Sequence, residues 1–172
     1  MSRAAEWRIG SIRKAHRRDD FDCGHPELDD FLKRYARQNE KLGVGRTYVA
    51  TREGKTDVLG YYTIANGSAE ARNLPENEAK KFPNYPPPTV HIGRLARDRT
   101  VQGEGLGPIL LMHALENAWK VSQMIGVAAV DVIAKDEEGR TFYENHEFQE
   151  FTDDRLHLYL PISVVRDLFG RK

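Results

Sequence analysis

A single cysteine, Cys23, stands among 172 residues, so no disulfide can form within the chain. Six histidines are scattered without the paired spacing of a zinc site, and no resident metal is expected. The longest uninterrupted apolar run, around Ile109 to Met112, is a handful of residues. That falls far short of the roughly 20 needed to span a bilayer, and no apolar block follows the basic residues near the N-terminus. The expectation is a soluble, cytoplasmic protein with no membrane segment, folded as one domain over residues 1–172. Net charge is also missing, since 26 basic residues balance 26 acidic ones. The balance is uneven. Residues 1–18 hold Arg3, Arg8, Arg13, Lys14, Arg17 and Arg18 against Glu6, whereas residues 131–154 hold nine acids against Lys135 and Arg140. Such asymmetry can turn a basic surface toward a polyanion, and two solvated faces explain it as well.

The stretch Gln102-Gly103-Glu104-Gly105-Leu106-Gly107-Pro108 sits between a strand-like segment and a long amphipathic helix. Strand, glycine loop and helix together make an anion-binding geometry, because glycines allow a tight turn and first-turn amides point along the positive end of the helix dipole. A nucleoside-triphosphate loop is excluded: Pro108 and Ile109 stand where lysine and a hydroxyl residue are required. A dinucleotide site needs G-x-G-x-x-G, and the G-x-G-x-G register here is wrong, although Asp131 lies in the next strand. A turn that merely starts a helix accounts for the loop equally well.

Periodicity gives the remaining elements. Trp7 to Lys14 reads as a strand, Pro26 to Leu42 as a helix stopped by Gly43, and Arg46–Arg52 with Val58–Ala65 as an antiparallel hairpin. Within that helix Leu28, Phe31, Leu32, Tyr35 and Ala36 share one face, and Lys33, Arg34, Arg37 and Lys41 share the other. A proline-punctuated excursion from Leu74 to Pro88, with one helical turn around Glu76 to Lys81, leads into a strand at Thr89 to Asp98. The helix after the glycine loop presents Leu111, Ala114, Leu115, Ala118 and Trp119 on one face and is expected to break at Gly126. Strand Val127–Ala134, helix Asp136–Glu147, strands Phe148–Phe151 and Leu156–Leu160, and a terminal helix Pro161–Phe169 follow. The order predicts an α+β fold: a mixed, mostly antiparallel sheet with one central parallel pair and flanking helices.

Three ordered motifs resemble the Gcn5-related N-acetyltransferases (GNAT): Ile92-Gly93-Arg94-Leu95-Ala96-Arg97-Asp98, Gln102-x-x-Gly105-x-Gly107, and Asp136-x-x-Gly139-x-x-Phe142-Tyr143-x-x-x-x-Phe148. Phe21-Asp22-Cys23-Gly24, Leu28-Asp29-x-Phe31-Leu32, Asn39, Gly45-Arg46-Thr47-Tyr48 and Leu74-Pro75 further resemble the GNAT-type toxins of bacterial toxin–antitoxin pairs, which acetylate aminoacyl-tRNA. The resemblance implies acetyl-CoA as acetyl donor, aminoacyl-tRNA as acceptor, a cognate antitoxin of ribbon-helix-helix type, and a homodimer. It implies a splayed parallel pair, with pantetheine running beside Leu95, Ala96 and Arg97 and the pyrophosphate on Gln102, Gly103, Glu104, Gly105, Leu106 and Gly107. Departures from the pattern are Arg97 for an aliphatic residue, Pro108 for an amide-bearing one, Asp136 for asparagine, Gly139 for alanine, and Glu147 for the glycine common before Phe148.

Acetyl transfer to an amine needs a neutral nitrogen, a polarised thioester and a proton for the departing thiolate. Tyr143 is the candidate proton donor, since a phenol stays protonated at neutral pH; an aromatic packing residue is the competing reading, and Phe142 is expected in the core. No glutamate occurs in Thr89 to Arg97, where some relatives place a general base. An α-amino group titrates near 8 and its esterified form lower, so a base is dispensable for aminoacyl-tRNA, whereas a lysine side chain needs one. Arg94 and Arg99, with Arg97, are candidate tRNA-phosphate contacts, and holding cofactor phosphates or a neighbouring carboxylate is the alternative. A GNAT enzyme acting on a small amine or protein terminus, and a silent acyl-CoA-binding module, remain the other readings.

Overall fold

The computed structural model describes residues 7–70, 73–81 and 86–170. Arg3 and Glu6 of the basic N-terminal stretch, and part of the proline-punctuated excursion, lie outside the described residues. Seven strands form one sheet: β1 (Trp7–Ser11), β2 (Arg46–Arg52), β3 (Gly60–Ser68), β4 (Pro88–Arg97), β5 (Ala129–Ile133), β6 (Gln149–Glu150) and β7 (His157–Pro161), in the order β1-β2-β3-β4-β5-β7-β6. β4 and β5 pair in parallel, whereas β1–β2, β2–β3, β5–β7 and β6–β7 pair antiparallel. This is the mixed α+β arrangement expected from the element order. The helices are α1 (Pro26–Asp30), α2 (Ala36–Leu42), α3 (Glu76–Ala79), α4 (Leu106–Ser122), α5 (Glu137–Glu144) and α6 (Ile162–Phe169). By contact the chain falls into two compact units, Met1–Ala65 with Gly93–Ala114, and Asn66–Ile92 with Leu115–Lys172.

In the first unit, Pro26 opens α1 at a position where its missing N–H matters least. A π-helical segment, Phe31–Tyr35, joins α1 to α2. Gly43 then stops α2 at φ 74°, with Gly43 N–H on Glu40 O (3.2 Å) and Val44 N–H on Asn39 O (3.2 Å). That reciprocal pair requires a left-handed residue, hence glycine. The buried stripe Phe31, Leu32 and Ala36 packs with Ile12, Phe21, Val49, Val58, Tyr61 and Ala96 into one apolar core. Tyr61 is wholly buried and keeps its hydroxyl bonded to Leu28 O (2.7 Å), which satisfies its one polar atom.

In the second unit, α4 ends at Ser122, four residues before Gly126. Ser122 Oγ donates back to Trp119 O (2.6 Å), and Gln123 and Met124 continue in turn bonds, so the helix unwinds before the glycine is reached. A smaller apolar cluster of Ala69, Leu74, Phe151 and Tyr159 lies under α3, with Ala79 against it. The β4–β5 ladder runs from Thr89↔Ala129 to Ile92↔Val132, and β4 continues to Arg97. No helix among the described residues is long and apolar enough to cross a membrane.

Candidate active site

The glycine loop belongs to the first unit and is fixed from behind by Asp98. One oxygen of this buried carboxylate accepts from Thr100 N (2.9 Å) and Thr100 Oγ1 (2.7 Å), and the other accepts from Asp22 N (2.9 Å). Burial pushes its pKa up, but those hydrogen bonds and the Arg99 charge outweigh it, and the carboxyl sits below its ordinary value. A 3-10 turn over Arg99–Val101 follows, and the chain then reverses through Gly103 (φ 84°) and Gly105 (φ 79°). A Cβ at either glycine would meet nothing within 4 Å, so these glycines are required for backbone conformation and not for clearance. Leu106 and Gly107 open α4, and Leu106 is fully buried. Among the described residues, no backbone carbonyl accepts from the amides of Gly103, Gly105, Leu106 or Gly107. They lie at the positive end of a 17-residue helix, which is the donor set an anion needs. Gln102 and Gly103 are exposed, and Glu104 is held to Arg52 at 2.7 Å, with Arg52 stacked over the Trp7 ring at 4.1 Å.

The arginines upstream do not act as one group. Successive side chains leave opposite faces of a strand, so Arg94 and Arg97 of β4 point to opposite sides. Arg94 lies over the Phe31 ring, 3.6 Å from its centroid. Arg99, beyond the strand, pairs with the exposed carboxylate of Asp22 (3.1 Å), which is the neighbouring-carboxylate alternative. Arg97 is half-buried, beside half-buried Leu95 and buried Ala96, and has no side-chain hydrogen bond or ion pair among the described residues. Elsewhere in this unit Arg18 Nη1 donates to Leu32 O (3.0 Å) of the π-helical segment. Burial and then the nearby charge of Arg37 lower the Arg18 pKa, so the N-terminal basic stretch and the basic helix face meet. Arg17 and Arg34 are paired with Asp57 (3.6 Å) and Asp30 (2.9 Å), whereas Lys33 and Arg37 have no acidic partner among the described residues.

Tyr143 belongs to the second unit, on α5. Asp136 caps that helix, accepting from Gly139 N (2.9 Å), so aspartate serves where many relatives carry asparagine. Tyr143 is 7% exposed, between Phe142 (ring centroids 5.1 Å apart) and Phe148 (5.3 Å). Phe142, expected in the core, is only half-buried, because α5 turns Tyr143 to the inside in its place. Burial pushes the Tyr143 phenol well above its ordinary value, and its hydroxyl has no protein partner among the described residues. It is a protonated donor at neutral pH. After α5 the chain turns through Glu147 at φ 72°, where Glu147 N–H bonds Glu144 O (3.0 Å) and Phe148 N–H bonds Tyr143 O (3.1 Å). The geometry is that of a glycine cap occupied by a glutamate.

One cluster escaped the sequence reading. Asp131, 4% exposed in the middle of β5, accepts from Thr89 Oγ1 (2.7 Å), His91 Nδ1 (3.0 Å) and His157 Nε2 (2.9 Å). Burial alone would raise its pKa, yet these donors hold the carboxyl far below the usual range. The histidines lie 40 and 26 residues from Asp131 in sequence and converge because β4 and β7 flank β5. The available signal was a lone carboxylate inside Val130-Asp131-Val132, since a charge in a buried strand must have partners. No group of three or more acidic, histidine or cysteine side chains able to hold a metal occurs among the described residues. A small, mostly apolar pocket lies near this cluster, bounded among the described residues by Ala69, Leu74, Thr89, Phe151 and Tyr159, with Glu78 at its edge.

No protein-family model matches the chain. It is 37% identical over 150 residues to a tRNA-acetylating toxin of Mycobacterium tuberculosis (strain ATCC 25618 / H37Rv), covering 87% of this chain and 89% of that protein. Among solved structures it is similar to AtaT complexed with acetyl-methionyl-tRNAfMet, with a TM-score of 0.88, 30% identity, and coverage of 95% of this chain and 99% of that one. It is also similar to a tyrosine-to-phenylalanine mutant of the AtaT toxin bound to the C-terminus of the antitoxin AtaR and acetyl-CoA, with a TM-score of 0.81, 27% identity, and coverage of 96% and 99%.

Proposed function

The chain belongs to the tRNA-acetylating toxins of the Gcn5-related N-acetyltransferase family, and we propose that it moves an acetyl group from acetyl-CoA to the α-amino group of aminoacyl-tRNA, blocking translation. The observation that carries this reading is the similarity, over nearly the whole chain, to a toxin seen with acetylated methionyl-tRNA. The residues fit the donor substrate. Amides of Gly103, Gly105, Leu106 and Gly107 at the start of α4 suit its pyrophosphate, with Gln102 and Glu104 framing the loop and Pro108 removing one further amide. The β4 backbone at Leu95, Ala96 and Arg97, beyond the end of the β5 ladder, suits the amides of the pantetheine arm.

Attack by the neutral α-amino nitrogen forms an N–C bond at the thioester carbon, and collapse breaks the C–S bond with the electron pair leaving on sulfur. Tyr143 is the acid that protonates that sulfur: its buried phenol retains its proton at neutral pH, and its hydroxyl is uncommitted among the described residues. Arg94 and Arg99 are the candidate tRNA contacts on this side of the protein. Residues 1–172 work as one catalytic domain in the cytoplasm, as a homodimer restrained by a ribbon-helix-helix antitoxin. The test is expression in growing cells with and without the cognate antitoxin: arrest of translation relieved by the antitoxin is expected, and harmless expression of protein that still binds acetyl-CoA would sink the proposal.

A further inference from the structure

A carboxylate buried in an apolar strand is costly, and Asp131 is kept ionised there by three donors on two neighbouring strands. An ionised carboxylate only accepts, so both histidines donate to it. For His91 this places the ring proton on Nδ1 and the free lone pair on Nε2, which has no partner among the described residues. Asp131 lies directly across from His91 in the parallel ladder, one residue before that ladder ends at Ile92. The His91 side chain is 28% exposed although its carboxylate partner is 6% exposed. His157 differs in its surroundings: its side chain is 21% exposed and its ring lies against Phe151, centroids 4.0 Å apart. β3 leaves space for the cluster by carrying Gly67, where a Cβ would come within 2.6 Å of Thr89 Oγ1 and 3.1 Å of His91 Cβ.

We infer that His91 is the general base of the acetyl transfer, oriented by Asp131. The inference rests on the acetyltransferase reading above. The base missing from the sequence as a glutamate is present as an imidazole held by a carboxylate, the pairing that orients a histidine for proton transfer elsewhere. Nε2 takes the proton from the acceptor nitrogen as the N–C bond forms, and Tyr143 gives its proton to the departing sulfur. Solvent then removes the proton from His91 and restores the one on Tyr143, so the step balances. Asp131 is a positioning residue, and His157 and Thr89 hold Asp131.

The test compares wild-type protein with His91→Asn and His157→Gln in steady-state acetylation of aminoacyl-tRNA from pH 6 to pH 9, with thermal melting and acetyl-CoA affinity as folding controls. Asparagine reproduces the Nδ1 donor toward Asp131 and lacks Nε2. His91→Asn is expected to lower kcat about 10²-fold at pH 8 to 9 with KM unchanged, the low end of a general-base contribution. The deficit should shrink toward pH 6, because only a neutral imidazole can take the proton and the wild-type enzyme loses its base as the medium becomes acid. His157→Gln should keep kcat within about 3-fold and melt lower. A His91→Asn enzyme at full rate, or one with the same deficit at every pH, overturns the inference, as does the pH-dependent loss appearing in His157→Gln instead. Should His91→Asn fail to bind acetyl-CoA, His91→Gln is held to the same outcomes. Wild-type protein that acetylates no aminoacyl-tRNA overturns the parent reading and this inference together, whereas a full-rate His91→Asn removes this inference alone.

Discussion

Gly60 of β3 faces Leu106 so closely that a Cβ on the glycine would lie 2.8 Å from Leu106 Cδ2. The first turn of α4, whose amides form the candidate anion site, is thus seated on a strand by the absence of one methyl group. Leu110 Cδ1 at 3.0 Å and the Ala96 carbonyl at 3.3 Å close the remaining space. Gly60→Ala is expected to cost about 1–3 kcal/mol, the range for overpacking a full core, and to lower the melting temperature by about 2–4 °C per kcal/mol. Acetyl-CoA affinity should fall with it, because Leu106 cannot move without moving the loop. Thermal melting and calorimetric titration check both effects.

Glu147 is the one non-glycine residue with positive φ among the described residues, at 72°. A side chain in that conformation costs about 1–2 kcal/mol, part of which glycine would return as greater freedom of the unfolded chain. Glu147→Gly should therefore stabilise the protein by about 1 kcal/mol, seen as a higher midpoint in urea unfolding. Activity should be unchanged, because the cap hydrogen bonds to Glu144 O and Tyr143 O are backbone bonds that glycine keeps.

Asp131 gives the fold a defined response to acid. Its carboxyl is held below its ordinary value, so its ionised form contributes stability that is complete above the unfolded-state pKa of about 3.9 and is lost as pH falls toward the folded value. Asp131→Asn should destabilise the protein by about 3 kcal/mol at pH 7, since it leaves buried donors without a charged acceptor. The gap between wild type and variant should hold down to about pH 3.9 and narrow below it, as read from urea unfolding across pH.

Lys33 and Arg37 stand on the helix face that Arg18 joins to the N-terminal basic stretch. If that face meets tRNA phosphates, replacing both by glutamine should weaken tRNA binding and flatten its salt dependence. Each lost contact removes about 0.7–0.9 from the slope of log K against log salt, so the double variant should lose roughly 1.5. Binding of tRNA measured between low and physiological salt decides it: an unchanged slope assigns this face to solvent.

Local chemistry made much of this fold readable in advance. Gly43 stops α2, the turn between Arg52 and Gly60 joins a hairpin, and Gln102 to Gly107 lie between a strand and a helix. Each follows from a conformation that few residues adopt. The end of α4 at Ser122 was less visible, because a serine hydroxyl on Trp119 O ends the helix before the conspicuous Gly126. The π-helical segment at Phe31–Tyr35 carries ordinary helix formers and leaves no mark on periodicity. The convergence of His91, Asp131 and His157 was the least legible, since it depends on β7 lying next to β5 while β6 takes the sheet edge. Sequence spacing says nothing about such an order, and only the charge at Asp131 within an apolar strand pointed toward it.

The central claim is tested most directly by incubating the purified protein with acetyl-CoA labelled in its acetyl group and a mixture of charged tRNAs, then locating the label by mass spectrometry after the aminoacyl ester is cleaved. Label is expected on the α-amino group of the released amino acid, with loss of most turnover in Tyr143→Phe protein that still folds and binds acetyl-CoA. Label confined to protein lysines or small amines, or no transfer at all by protein that binds acetyl-CoA, would contradict it.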